Sequence, residues 1–245
     1  MRYRAKALLR SLGLYKPLFW LRWRVLSMKM QAFYRQFIAP NDLVFDVGAN
    51  IGNYTAVFLK LGARTLAIEP QTECVAQLKA RFDKHPRAAL YIGGVAAQAG
   101  TLELHTGEDS GVASFSPEAA AGLRELAAYH TYSVPVTTLD ALIAEHGVPT
   151  FIKIDVEGYE LPVLQGLSQP VQALSFEYMP NSLEKAAACL DYLATLGNYE
   201  FNAVYGATFT FMQTEWTDSA NIQRVIANFP KNTLTGDVYA RLKGQ

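Results

Sequence analysis

From residue 42 onward the apolar positions follow two alternating rhythms. Leu43–Val47 is a short apolar run interrupted only by Asp46 and closed by Gly48, the pattern of a buried strand. Asn53–Leu61 has helical spacing and stops at Gly62. Thr65–Ile68 reads as a second strand closed by Glu69-Pro70, Thr72–Asp83 as a second helix and Ala88–Ile92 as a third strand. This β-α-β-α-β order predicts an α/β fold with a doubly wound, mostly parallel sheet. Farther on, Thr101–His105, Ser133–Val136, Thr150–Ile154 and Ala173–Phe176 read as strands, and Gly107–Pro117 as a loop. Leu139–His146, Glu160–Leu167 and Leu183–Leu196 read as helices; 199–212 and 233–242 read as strands closing the sheet with antiparallel edges.

Residues 1–38 read as helical, punctuated by Gly13 and Pro17. Leu18, Leu21, Val25, Met28, Phe33 and Phe37 recur near helical spacing, and Trp20 and Trp23 widen that apolar face. Pro40-Asn41-Asp42 is a turn. The expected organisation is a basic, aromatic helical extension over 1–40 and a single Rossmann-like domain over 41–245.

Charge sharpens this division. Residues 1–41 hold nine Lys and Arg and no acid, whereas the rest holds thirteen against 22 acids, a net of −9 on a chain neutral overall. Three readings of the basic segment follow. It packs on the acidic body or on a second subunit in a homo-oligomer; it lies on an anionic membrane surface through residues 1–38; or it binds nucleic acid, which the acidic body opposes. The longest apolar run in the first 40 residues, Pro17–Leu21, is too short for a span or a signal-peptide core, so the expected location is cytoplasmic, with peripheral membrane contact as the variant.

Half of the 245 residues are apolar and 18% are charged, which excludes global disorder. Cys74 and Cys189 make neither a disulfide framework nor a zinc site, and the four histidines lack ligand spacing, so no metal is expected.

The strongest chemical signal is Val44-Phe-Asp46-Val-Gly48-Ala-Asn50-Ile-Gly52, a strand running into a glycine turn and then a helix. The glycines let the backbone approach a ligand, and the helix offers free N–H groups. Glu69 follows the second strand, placed to accept hydrogen bonds from both hydroxyls of a ribose. A dinucleotide enzyme would use G-x-G-x-x-G under a pyrophosphate. Here the glycines are spaced Gly48-x-x-x-Gly52, and Asp46 would repel a pyrophosphate. S-adenosylmethionine carries a sulfonium and an ammonium and no phosphate, and fits better. A second cluster, Asp155, Glu157 and Glu160, follows the buried strand 150–154 and belongs to the same carboxyl edge of the sheet, where open α/β folds bind ligands.

The sequence resembles the FkbM family of S-adenosylmethionine-dependent methyltransferases. VFDVGANIGNYT (44–55), AIEP (67–70), VTTLDAL (136–142), IKIDVEGYELPVLQGL (152–167) and SFEY (175–178) carry the resemblance, over about residues 42–180. Gly93–Ala97 departs from the family pattern. The resemblance implies a class I methyltransferase fold and O-methylation of a hydroxyl on a sugar, glycan or natural product. On that reading Asp46, Gly48, Asn50 and Gly52 shape the cofactor pocket and Glu69 holds the ribose. Asp155 and Glu157 lie near the methyl group, as base or as electrostatic partner of the sulfonium. His130 and Glu177 are substrate-side candidates, a surface histidine and a helix cap being their plainer readings. Ser114 is a further candidate at the cofactor or substrate. Asp155 with Glu157 lacks a third carboxylate for a divalent ion. The acceptor pocket is expected from 107–133 and 178–215. The rival function is a non-catalytic binding module on the same fold; a nicotinamide oxidoreductase is weaker, lacking the third glycine.

Overall fold

A strand that is apolar on both faces must be covered on both, and helices do this here. The computed structural model describes residues 15–107, 113–116, 129–229 and 235–244, with backbone alone for 15–22. The elements run α1 (Tyr15–Tyr34), β1 (Leu43–Val47), α2 (Asn53–Lys60), β2 (Arg64–Glu69), α3 (Thr72–Phe82), β3 (Ala88–Ile92), β4 (Gly94–Val95), β5 (Gly100–Thr106), β6 (Ala113–Ser114), β7 (His130–Thr137), α4 (Leu139–His146), β8 (Phe151–Ile154), α5 (Glu160–Gln165), β9 (Ala173–Tyr178), α6 (Leu183–Leu196), β10 (Tyr199–Tyr205), α7 (Ser219–Ala227) and β11 (Gly236–Leu242).

The main sheet has the order β10-β11-β9-β8-β1-β2-β3. β3, β2, β1, β8 and β9 are parallel, and β11 runs antiparallel to both neighbours. Every residue of β1 and β8 is buried. One face packs Phe45, Ile152, Leu174 and Val238 against α4, α5, α6 and α7 through Leu142, Val163, Leu190 and Ile222. The other packs Val44, Phe151 and Tyr239 against α1, the turn after it and α2 through Phe33, Tyr34, Phe37 and Phe58. A small second sheet, β4-β7-β5-β6, flanks the carboxyl end of β3.

Pro17 falls within α1, in line with a helix running from Pro17 onward, and Gly13 lies outside the described residues. Two expectations are corrected. The apolar positions of α1 do not form one face. Met28 and Phe33 are five residues apart, which rotates them onto different sides. Phe33, Tyr34 and Phe37 are core, whereas Val25 and Met28 are 49% and 62% exposed. The C-terminal strand is not an edge. β11 inserts between β9 and β10, and β10 ends at Tyr205; the chain then turns back, Phe211 and Thr217 bridging antiparallel to Val204 and Phe201, before α7, which is capped by Asp218 accepting from the Asn221 N–H at 2.8 Å. Of the expected 107–117 loop, 108–112 and 117 lie outside the described residues, and Ala113–Ser114 pairs with β5.

Candidate active site

The sheet reverses its winding at β1, whose neighbours are β2 on one side and β8 on the other, and a crevice opens beyond their carboxyl ends. Three residues of the turn after β1 are left-handed: Gly48 (φ 78°), Asn50 (φ 51°) and Gly52 (φ 80°). The turn is pinned to β2, since the Gly48 and Ala49 N–H groups both donate to the Ile68 carbonyl, at 3.1 and 3.0 Å. Glu69 locks it from the side. Its Oε2 accepts from the Asn50 N–H at 2.7 Å and its Oε1 from the Gln71 N–H at 2.9 Å. Burial pushes the Glu69 carboxyl up, and these two N–H bonds pull it back. The Gln71 side chain adds a further hydrogen bond to the same carboxylate.

A cavity of about 220 Å³ sits over this turn. Gly48, Asn50, Glu69, Asp155 and Glu157 line it, with Asn53, Tyr54 and Phe115 as further walls. A second cavity of about 220 Å³ lies beside it, between the ends of β9 and α6, walled by Glu157, Glu160, Glu177, Ser182 and Lys185 among others. Glu157 belongs to both. Its backbone is left-handed (φ 53°), as is that of Gly158 (φ 90°). Ser114 holds this bend, its hydroxyl donating to the Glu157 carbonyl at 2.8 Å. A non-glycine residue in this region is strained, and the strain places a carboxylate between two cavities.

Asp46 and Gly52, expected on the cofactor wall, stand behind it. Asp46 is 1% exposed and points beneath α2, where its Oδ2 accepts from Thr55 Oγ1 at 2.5 Å. Gly52 makes room for α3: a Cβ there would strike Phe82 and Leu78. His130 is exposed at the start of β7 and lines neither cavity. Glu177 does join the site. One oxygen each from Asp155, Glu157 and Glu177 lie within 4.8 Å of one another, so the two carboxylates expected there are three.

The sequence reading passed over the cation among them. Lys153 is 1% exposed, and its Nζ lies 2.6 Å from Asp155 Oδ2 and 4.1 Å from the centre of the Tyr54 ring. A lysine inside an otherwise apolar strand, Phe151-Ile-Lys-Ile, was the available signal. Burial alone would lower its pKa, but Asp155, Tyr54 and Asp237 outweigh burial and hold it well above its usual value. Asp237 comes from β11, directly opposite Glu177 in register. With one lysine among so many acids, the carboxyls rise. Glu157 is pushed to about 7 by burial and then by Asp155 and Glu160. Asp237 is pushed to about 7 by burial, against the pull of Lys153. Glu177 is pushed to about 9 by burial and then by Asp155, Glu157 and Asp237, and its Oε2 is buried with no partner among the described residues.

This edge suits a ligand that is positively charged where it meets Asp155 and Glu157, rather than a phosphate. The chain matches the methyltransferase FkbM domain over residues 46–204. It is 27% identical over 139 residues to the hexuronic acid methyltransferase AglP of Haloferax volcanii, covering 56% of this chain; it spans about half the length of that relative, 54%. Solved structures similar to it include a precorrin-6Y C5,15-methyltransferase from Geobacter metallireducens (TM-score 0.45, 12% identity, 88% of this chain and 87% of that one). Another is a TehB-like methyltransferase from Corynebacterium glutamicum (TM-score 0.46, 11% identity, 94% and 100%). With its glycine turn, Glu69 and the IKIDVEG segment inside the matched region, this chain belongs to the FkbM family of S-adenosylmethionine-dependent methyltransferases.

Proposed function

We propose that the enzyme methylates a hydroxyl of a sugar, glycan or related natural product, held in the cavity beside the cofactor. The observation that carries this is Glu157, shared by both cavities and near neutrality in its pKa. S-adenosylmethionine supplies an electrophilic methyl group on a cationic sulfur. The residues present fit it. Asp155 and Glu157 offer negative charge on the cavity wall, Glu69 offers lone pairs to ribose hydroxyls, and the turn offers backbone at close range. Transfer from the cofactor is an in-line displacement, so the protein orients the acceptor and removes its proton. Glu157 accepts that proton, and Asp155, held by Lys153, fixes the charge beside it. The walls of the second cavity are rich in hydrogen-bond acceptors, as a polyhydroxylated acceptor requires. The name of the Haloferax relative, a hexuronic acid methyltransferase, supports a sugar-like acceptor.

Two tests follow. Calorimetric titration with S-adenosylmethionine, S-adenosylhomocysteine and NAD should show binding of the first two only. Glu69→Ala should weaken it by about 10- to 100-fold, the worth of hydrogen bonds to a charged group. Unchanged affinity in that variant would remove Glu69 from the cofactor site. Turnover should rise with pH through about 7, because Glu157 accepts a proton only when ionised. Glu157→Gln should flatten that rise and lower kcat by roughly 10²- to 10⁴-fold with little change in cofactor affinity. A retained pH profile would assign the base elsewhere.

A further inference from the structure

The inner face of α1 is settled by the core, but its outer face is not. Among the described side chains of this helix Val25 and Met28 are the exposed large apolar ones, and Ala32 falls in the same row, in steps of three and four. The same spacing continues backward in the sequence to Leu21 and Leu18. Exposed Arg24 and Arg35 flank the row on one side and exposed Lys29 on the other. No acid lies on the helix or before it. Single exposed apolar side chains need no explanation; an apolar row with cations along both margins does. That arrangement lets the apolar row enter the boundary of a lipid layer while the cations reach phosphates on either side.

We propose that the outer face of α1 docks the enzyme on an anionic membrane surface. No helix among the described residues is long and apolar enough to cross a membrane, so the attachment is peripheral. A two-fold pairing of this face with a second copy would bring the cations Arg24, Lys29 and Arg35 of the two copies against one another with no acid on the face to meet them, which disfavours that occupant. The inner side of the same helix reaches the site: the Tyr34 ring lies 6.0 Å from that of Tyr54, a wall of the cofactor cavity.

The test is sedimentation of the 245-residue chain with vesicles of phosphatidylcholine alone and of phosphatidylcholine mixed with phosphatidylglycerol. Binding should be at least about tenfold tighter to the mixed vesicles and should weaken as salt is added. Val25→Glu with Met28→Glu should reduce it about tenfold or more. The triple change Arg24→Glu, Lys29→Glu and Arg35→Glu should abolish the preference for phosphatidylglycerol. Each variant should keep wild-type S-adenosylmethionine binding and melting temperature, which separates this proposal from the catalytic one. Absent binding, equal binding to both vesicles, or binding unaffected by the variants would overturn it. So would light scattering that shows a dimer separated by the Val25 and Met28 changes, since the face would then be an interface between copies.

Discussion

Replacing Lys153 with methionine is expected to cost the folded state about 3–5 kcal/mol, the penalty for removing one partner of a buried charge pair. The shape of the side chain survives; the charge does not. Lys153 stands among Asp46, Asp155 and Asp237, and these lose their shared counter-charge together. The sign with pH follows. The Asp46 and Asp237 carboxyls, raised by burial and pulled back by Lys153, are held protonated to higher pH in the fold than in the unfolded chain once the lysine is gone. Stability is then present at low pH and lost as pH rises through the folded pKa values. The deficit of Lys153→Met should therefore be small near about pH 5 and largest near about pH 8, as read by chemical denaturation at both. An equal deficit at the two values would mean that Lys153 matters as packing alone.

Gly48→Ala should be nearly as damaging by a different route. Its φ of 78° costs an L-residue about 1–2 kcal/mol by itself, and the added methyl would overlap the backbone carbonyl of Asp155. Backbone cannot swing aside as a side chain does, so β1 and β8 must part at the cofactor edge. The expected loss is about 3 kcal/mol or more in stability, with cofactor binding weakened at least about 100-fold. Gly206→Ala is the control, since Gly206 also has a positive φ (47°) but open space around it. Equal effects at the two glycines would show that conformation, and not the approach of Asp155, sets the requirement.

Much of the cofactor side was legible because its signals are local. A strand, a glycine turn and an acid one strand later are written within residues 43–69, and the fold places them together with no help from distant sequence. What was illegible depended on partners far away. Glu177 and Asp237 face each other only because β11 pairs with β9, and nothing near Asp237 marks it as part of a site. Asp46 and Gly52 belong to the motif yet serve the packing of α2 and α3, because a motif pattern does not say on which side of a turn each residue falls. The two faces of α1 blur in the sequence because apolar residues surround most of the helix; the pairing of Phe33, Tyr34 and Phe37 with Tyr239 and Phe151 decides which face is inner.

The insertion of β11 between β9 and β10 has a consequence for synthesis. Both neighbours leave the ribosome well before Gly236–Leu242, so the growing sheet holds a gap one strand wide. Across it, two rows of backbone N–H and C=O groups stay unpaired, and such rows are templates for pairing with another chain. A nascent or truncated chain that stops short of residue 236 would carry this opening permanently. Such an opening invites aggregation and chaperone binding.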